Sequence, residues 1–233
     1  PQMKVALCQL HSPDTLAESV SVHVRAVERG AEAKCELALF PELSLTGYAM
    51  TDAESRTIDP ASPSLDPLTA VSQANSIDIA VGAPLRAPGG GVEIGVVVFR
   101  PDGSRLRYAK QLLHADEEAV FVSGRSCLDL AVSSHTVAFG VCYETLQPAH
   151  GAAALEHGAT LYSAMVAKHS TGMEEAHRYL STFARSNRIP VLIVNSVGPC
   201  DGFECSGGSA GWDADGHCLG RLEAEDEVLV VAV

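Results

Sequence analysis

Aromatic residues are scarce. Phe, Tyr and Trp make up 5% of the 233 residues, so a core must be built from Ala, Val, Leu and Ile, and a hydrophobic content of 46% supplies them. Positive charge is scarce as well: 16 Lys and Arg face 29 Asp and Glu, a formal net charge of −13. The lysines number 4 and the arginines 12, all scattered singly. A nucleic-acid binder needs a basic face to meet phosphates, and an anionic membrane surface asks for the same. Neither partner is expected. No apolar run reaches the ~20 residues of a spanning helix, and no signal peptide is recognisable. Regular cysteine spacing is also missing. The seven cysteines are odd in number and irregularly placed, and Cys8, Cys35, Cys127 and Cys142 lie in or beside apolar runs, where a free thiol packs as a small hydrophobe. A reducing cytoplasm is the expected compartment. With no long linker, low-complexity segment or fixed-period repeat, residues 1–233 are read as one domain.

What is present is an alternation of strand and helix patterns. Met3 to Leu10 reads as a buried strand. Leu16, Val20, Val24 and Val27 fall at helical spacing within a helix over 15–33, started by Ser12-Pro13-Asp14. Further strands are expected over 35–40, 77–85, 92–100, 105–113, 127–132, 135–142, 160–165, 190–197 and 228–233, and further helices over 64–74, 149–157 and 173–188. Pro101-Asp102-Gly103-Ser104 makes a hairpin of 92–100 and 105–113. The alternation implies sheets covered by helices, an α/β fold.

Three chemically active side chains lie where strands stop. Glu42 follows Phe40-Pro41, Lys110 follows Tyr108-Ala109, and Cys142 follows Phe139-Gly140-Val141. Each has an ordinary reading by itself: a surface glutamate, a hairpin lysine, a packed cysteine. Together they supply what a covalent hydrolase requires. A partly buried carboxylate is a base near neutrality, an ammonium steadies a thiolate or an oxyanion, and a thiol is a nucleophile.

The order Phe40-Pro41-Glu42, Tyr108-Ala109-Lys110, Gly140-Val141-Cys142-Tyr143-Glu144 resembles the nitrilase superfamily of carbon–nitrogen hydrolases. The likeness extends to Met3–Leu10, Ser44-Leu45-Thr46-Gly47-Tyr48, Glu117 with Phe121 and Gly124, Asn187, Asn195 with Gly198, Gly207-Gly208-Ser209, and Asp213 with Gly216. It implies a four-layer α-β-β-α sandwich and association as a homodimer or larger homo-oligomer. It implies Cys142 as nucleophile, Glu42 as general base and Lys110 as oxyanion stabiliser, aided by the backbone N–H of Tyr143. Glu117 would be a second glutamate that orients substrate and lysine, with Glu118 as its rival. His169 is a candidate pocket residue. The chain departs from the common pattern at Glu144, where many members carry aspartate, at Leu146, where many carry arginine, and at Ser186, often glutamate.

The implied substrate is a small amide, cleaved through a cysteine thioester. A nitrile or carbamoyl amine would use the same triad, but nitrilases usually carry Trp where this chain has Tyr143. A non-catalytic binding protein on the same scaffold is the reading of another class, disfavoured by the intact triad. No cofactor is expected. Cys200, Cys205, His217 and Cys218 match no standard zinc spacing, and Pro88-Gly89-Gly90-Gly91 lacks the Lys-Ser/Thr of a phosphate loop. Specificity would come from loops 44–62, 114–126 and 166–173.

Overall fold

Side chains along the strands alternate between two different apolar layers, and that alternation builds the molecule. The computed structural model describes residues 2–48, 50–125 and 127–233. Its first half runs β1 (Lys4–Gln9), α1 (Leu16–Glu32), β2 (Leu37–Leu39), α2 (Asp66–Asn75), β3 (Asp78–Arg86), β4 (Val92–Phe99) and β5 (Arg105–Ala109). The second half runs β6 (Asp129–Val132), β7 (His135–Val141), α3 (Pro148–Glu156), β8 (Leu161–Val166), α4 (Ser170–Asn187) and β9 (Val191–Asn195). It closes with β10 (Val197–Cys200), β11 (Phe203–Ser206), β12 (Ala210–Trp212), β13 (Cys218–Arg221) and β14 (Glu227–Ala232).

Two six-stranded sheets result, ordered β14-β1-β2-β3-β4-β5 and β13-β12-β9-β8-β7-β6, with β10 and β11 as a separate hairpin. In β1, Val5 and Leu7 enter a central cluster, while Ala6 and Cys8 face the other way. In β7, Val137, Phe139 and Val141 enter the same central cluster and Ala138 points outward. The central cluster thus takes side chains from both sheets. A second cluster joins the first sheet to α1 and α2, and a third joins the other sheet to α3 and α4. Three apolar layers between four structural ones make the α-β-β-α sandwich. No helix among the described residues is long and apolar enough to cross a membrane.

The strand pairing fixes where the chemistry can sit. β2 runs parallel to β1 and β3; β4 reverses, and β5 reverses again, so β2 and β5 point the same way. In the other sheet β7, β8 and β9 are parallel neighbours. Glu42, Lys110 and Cys142 therefore all follow the carboxyl ends of strands, the edge where open α/β sheets place their ligands.

Two expectations need correction. The strand expected over 105–113 stops at Ala109, because the N–H groups of Gln111 and Leu112 turn away to a buried side-chain acceptor. The run 190–197 is split, and its end belongs to the β10–β11 hairpin, turned at Asp201-Gly202. That hairpin carries Cys200 and Cys205, whereas His217 and Cys218 lie at the β12–β13 turn.

One buried histidine ties α1 to this edge. Thr15 caps α1, accepting the Glu18 N–H and donating to the Glu18 carboxylate. Two turns on, His23 is fully buried, stacked on Phe40 at 4.4 Å. Its Nδ1 contacts the Ser19 carbonyl at 2.7 Å and its Nε2 meets Ser44 Oγ at 2.9 Å. Nδ1–H must donate to the carbonyl, and in the neutral ring that burial favours Nε2 accepts from the Ser44 hydroxyl. Burial lowers its pKa to about 4, against a smaller opposite pull from the Ser19 carbonyl. The unfolded chain takes up this proton near pH 6.5, well before the folded one. The His23 contribution is thus complete above pH 6.5 and is lost as pH falls from there towards 4, on the order of 3 kcal/mol in all. In urea unfolding between pH 7 and 4, wild-type stability is expected to fall more steeply than that of His23→Gln, which has no titrating ring. Parallel curves would refute it.

Candidate active site

Glu42 sits in a tight turn just past β2. Leu43 adopts a left-handed φ of +51°, and its carbonyl accepts the N–H groups of Thr46 and Gly47. The turn rests directly on β3 at Gly82. A Cβ there would meet Leu43 N at 2.3 Å and the Pro41 carbonyl oxygen at 2.4 Å, so only glycine lets the two backbones approach. Ser44 Oγ accepts the Gly82 N–H and carries the link on to His23.

Lys110 leaves the end of β5. Its N–H donates to the Ile94 carbonyl and its own carbonyl accepts from Gly124, so both sides of the peptide chain are held. Cys142 begins a short 3-10 turn, Cys142–Leu146, directly after β7. Its φ of +47° is left-handed, a conformation that costs a non-glycine residue about 1 kcal/mol or more and tends to occur where function demands it. The Thr145 hydroxyl braces the turn by donating to the Cys142 carbonyl at 2.6 Å.

These three segments converge. Lys110 Nζ donates to Glu42 Oε1 at 3.1 Å and to Glu117 Oε1 at 2.8 Å. The lysine and Glu42 side chains have no exposed surface, and that of Glu117 has 3%. An ammonium has three protons, so one remains for a third acceptor. Glu42 Oε2 is buried without a hydrogen-bond partner. Cys142 is half-buried, with its Sγ 3.9 Å from the Ala167 carbonyl oxygen.

The electrostatics follow from burial. Desolvation raises the Glu42 pKa; Lys110 opposes this, Glu117 adds to it, and the hydrogen bond from Lys110 pulls it back in part. The Cys142 pKa is pushed up to about 12, first by desolvation and then by the Glu42 carboxylate, while Lys168 and Lys110 pull it down. Burial would lower the Lys110 pKa, but Glu42, Cys142 and Glu117 outweigh it and raise it, so the cation is permanent. The resting arrangement is a thiol beside a basic carboxylate and a fixed ammonium, with no free thiolate.

Other expected residues are spread around this cluster. Glu117 is its buried second carboxylate, whereas Glu118 is exposed. Tyr143 is 37% exposed, with its ring edge-on to His114 at 5.3 Å. Its backbone N–H lies in the first turn after β7, where helical amides lack an internal acceptor. His169 caps α4, accepting the Gly172 N–H at 3.3 Å, and is exposed. Its ring meets Phe203, which in turn meets Tyr48. His169 thus caps α4 and stands in an aromatic row that reaches Tyr48, whose hydroxyl bonds Glu117.

Two residues that matter here were not singled out for a role from sequence. Tyr48 Oη donates to Glu117 Oε1 at 3.0 Å, so that oxygen is shared by a phenol and the lysine. Glu144, a departure from the family's usual aspartate, is fully buried and accepts several hydrogen bonds around the site. A carboxylate two residues past the candidate nucleophile, flanked by apolar runs, was the available signal. Among the described residues, no group of three His, Cys, Asp or Glu stands close enough to hold a metal ion.

A model of the carbon–nitrogen hydrolases matches residues 4–233. The chain belongs to the carbon–nitrogen hydrolase family, within the nitrilase superfamily. Solved structures of its relatives agree. A cysteine-to-alanine mutant of the Nesterenkonia AN1 amidase superposes with a TM-score of 0.89 at 25% identity, over 100% of this chain and 90% of that one. A glutamate-to-glutamine mutant of the same amidase, with acrylamide added at its active-site cysteine, gives 0.88 at 25% identity over 99% and 93%. The Xanthomonas campestris superfamily protein XC1258, with an arsenic adduct in its active site, gives 0.91 over 100% and 91%; at 19% identity this likeness speaks for the fold. No curated protein matches the chain in sequence.

In this family member, the support under Glu42 is testable by adding a single methyl group. Gly82→Ala forces the Glu42 turn off β3, and overpacking of this kind costs about 1–3 kcal/mol. A lower melting temperature together with reduced turnover is expected. An unchanged melting curve would mean that the turn does not rest on β3 as described.

Proposed function

We propose that the chain hydrolyses the C–N bond of a small amide through a thioester on Cys142, releasing ammonia or an amine. The observation that carries this reading is the buried Lys110 ammonium. It is held between Glu42 and Glu117, with a proton to spare, at the edge where Cys142 emerges from β7. The acrylamide added at the active-site cysteine of the Nesterenkonia amidase shows that cysteine to be a nucleophile, which supports this reading.

The cycle follows from the protonation states. Sulfur attacks the amide carbonyl as Glu42 takes the thiol proton, so charge never rests on an unassisted thiolate. The carbonyl oxygen becomes an oxyanion, stabilised by the free Lys110 proton and the Tyr143 N–H. Glu42 returns the proton to the leaving nitrogen, the C–N bond breaks, and the acyl group remains on sulfur. Water then attacks the thioester as Glu42 takes its proton; the C–S bond breaks and the thiol is restored. The sum is amide plus water giving acid plus amine. Glu117, anchored by Tyr48 and by the His114 N–H, keeps Lys110 aimed throughout.

Ammonia release from a panel of small amides, carbamoyl amines and nitriles tests the reading. Cys142→Ala is expected to abolish turnover. Lys110→Ala should lower kcat about 10²–10³-fold, as removal of an oxyanion donor does. It should also destabilise the fold by about 3–5 kcal/mol, because two buried carboxylates lose their counter-charge. Full turnover by Cys142→Ala would overturn the assignment.

A further inference from the structure

We propose that Glu144 is a positioning residue that fixes the Lys110 ammonium relative to the Cys142 thiol. The inference rests on the amide-hydrolase reading above. Glu144 is fully buried. Its Oε1 accepts the Val141 N–H at 2.8 Å and the Tyr108 hydroxyl at 2.6 Å. Its Oε2 accepts the N–H groups of Gln111 at 2.7 Å and Leu112 at 3.2 Å. Val141 immediately precedes the nucleophile. Gln111 and Leu112 immediately follow the lysine, and Tyr108 stands two residues before it. A single carboxylate therefore staples the end of β5, in one sheet, to the end of β7, in the other.

No cation accounts for its presence. The nearest basic group is His150, with Nε2 3.6 Å from Glu144 Oε1. The hydrogen bonds fit a neutral ring, which burial favours. Tyr108 gives its one proton to Glu144, so its oxygen must accept from His150 Nε2–H at 3.0 Å. In the neutral ring His150 Nδ1 then accepts from the Tyr162 hydroxyl at 2.8 Å. Burial lowers the His150 pKa in keeping with this, with Glu144 opposing. Glu144 is thus held by hydrogen bonds from three backbone N–H groups and a phenol. All three backbone donors belong to residues next to, or one removed from, a member of the triad.

The amide of glutamine has the same shape but turns one acceptor oxygen into a donor. Whichever way it faces, two of the four donors meet an N–H instead of an oxygen. Glu144→Asp keeps the charge on a side chain shorter by one methylene. Tyr108→Phe removes one bond of the four.

The test is steady-state kinetics on a small amide, with kcat expressed per Cys142 counted by iodoacetamide labelling of the Cys142 peptide in mass spectrometry. Only labelling that the amide substrate blocks is counted, so a Cys142 exposed by partial unfolding is left out. Glu144→Gln is expected to lower kcat per site about 30-fold or more while KM changes within about threefold, because a displacement near 1 Å is enough for such a loss. Glu144→Asp should recover part of that loss, and Tyr108→Phe should lose a smaller part. Ile79→Val, in the outer layer of the first sheet, is the control that lowers stability without lowering kcat per site. Folded Glu144→Gln with kcat per site within about twofold of wild type overturns the proposal. If Glu144→Gln does not fold, Tyr108→Phe decides by the same criterion. An active Cys142→Ala contradicts the hydrolase reading instead, so the two failures are distinguishable.

Discussion

A lysine without exposed surface, shared between two carboxylates, is the constraint on which the rest depends. Three ionisable groups away from water are stable only if their geometry lets attraction offset desolvation. Lys110 meets that condition with two short contacts, and its cation is made permanent by them. The cluster then carries one more negative than positive charge when both carboxylates are ionised. This excess, with burial, keeps Glu42 basic. The same environment keeps Cys142 protonated at rest. A carboxylate beside a thiol whose pKa is pushed up is an arrangement in which proton transfer waits for the substrate.

Such a cluster needs rigid support from both sheets, because Glu42 and Lys110 come from one and Cys142 from the other. Packing supplies part of it through the central apolar layer. Polar ties supply the rest. Gln9, in β1, accepts both the N–H and the hydroxyl of Ser209; Ser209 accepts the Asn195 N–H; and Asn195 holds both the N–H and the carbonyl of Lys168. Lys168 directly follows Ala167, whose carbonyl faces the Cys142 sulfur. The side-chain polar atoms of Gln9, Ser209 and Asn195 all have partners, as a network inside a low-dielectric core requires.

Much of this was legible in the sequence because apolar runs announce strands and the reactive residues stand at their ends. The order Glu42, Lys110, Cys142 with its family resemblance also carried the four-layer architecture. Register and turn detail were less accessible. The strand over 105–113 was overextended because nothing local reveals that Glu144, more than thirty residues later, captures the amides after Lys110. The β10–β11 hairpin was missed although Asp201-Gly202 is a strong turn signal, since its strands are short and Gly198-Pro199 interrupts the first of them. His169 carries the chemistry of a pocket residue, and its place just ahead of a helical run also makes it a cap, a role that only the three-dimensional structure shows. Glu117 and Glu118 are adjacent and alike in sequence; burial separates them.

The most direct test of the central account is to look for the covalent intermediate itself. Wild-type protein turning over a small amide can be acid-quenched, digested and mapped by mass spectrometry. The account predicts an added mass equal to the acyl group on the peptide containing Cys142, removed by hydroxylamine as a thioester is. Steady release of ammonia with Cys142 unmodified, or with the acyl group on another residue such as Cys200, would contradict it.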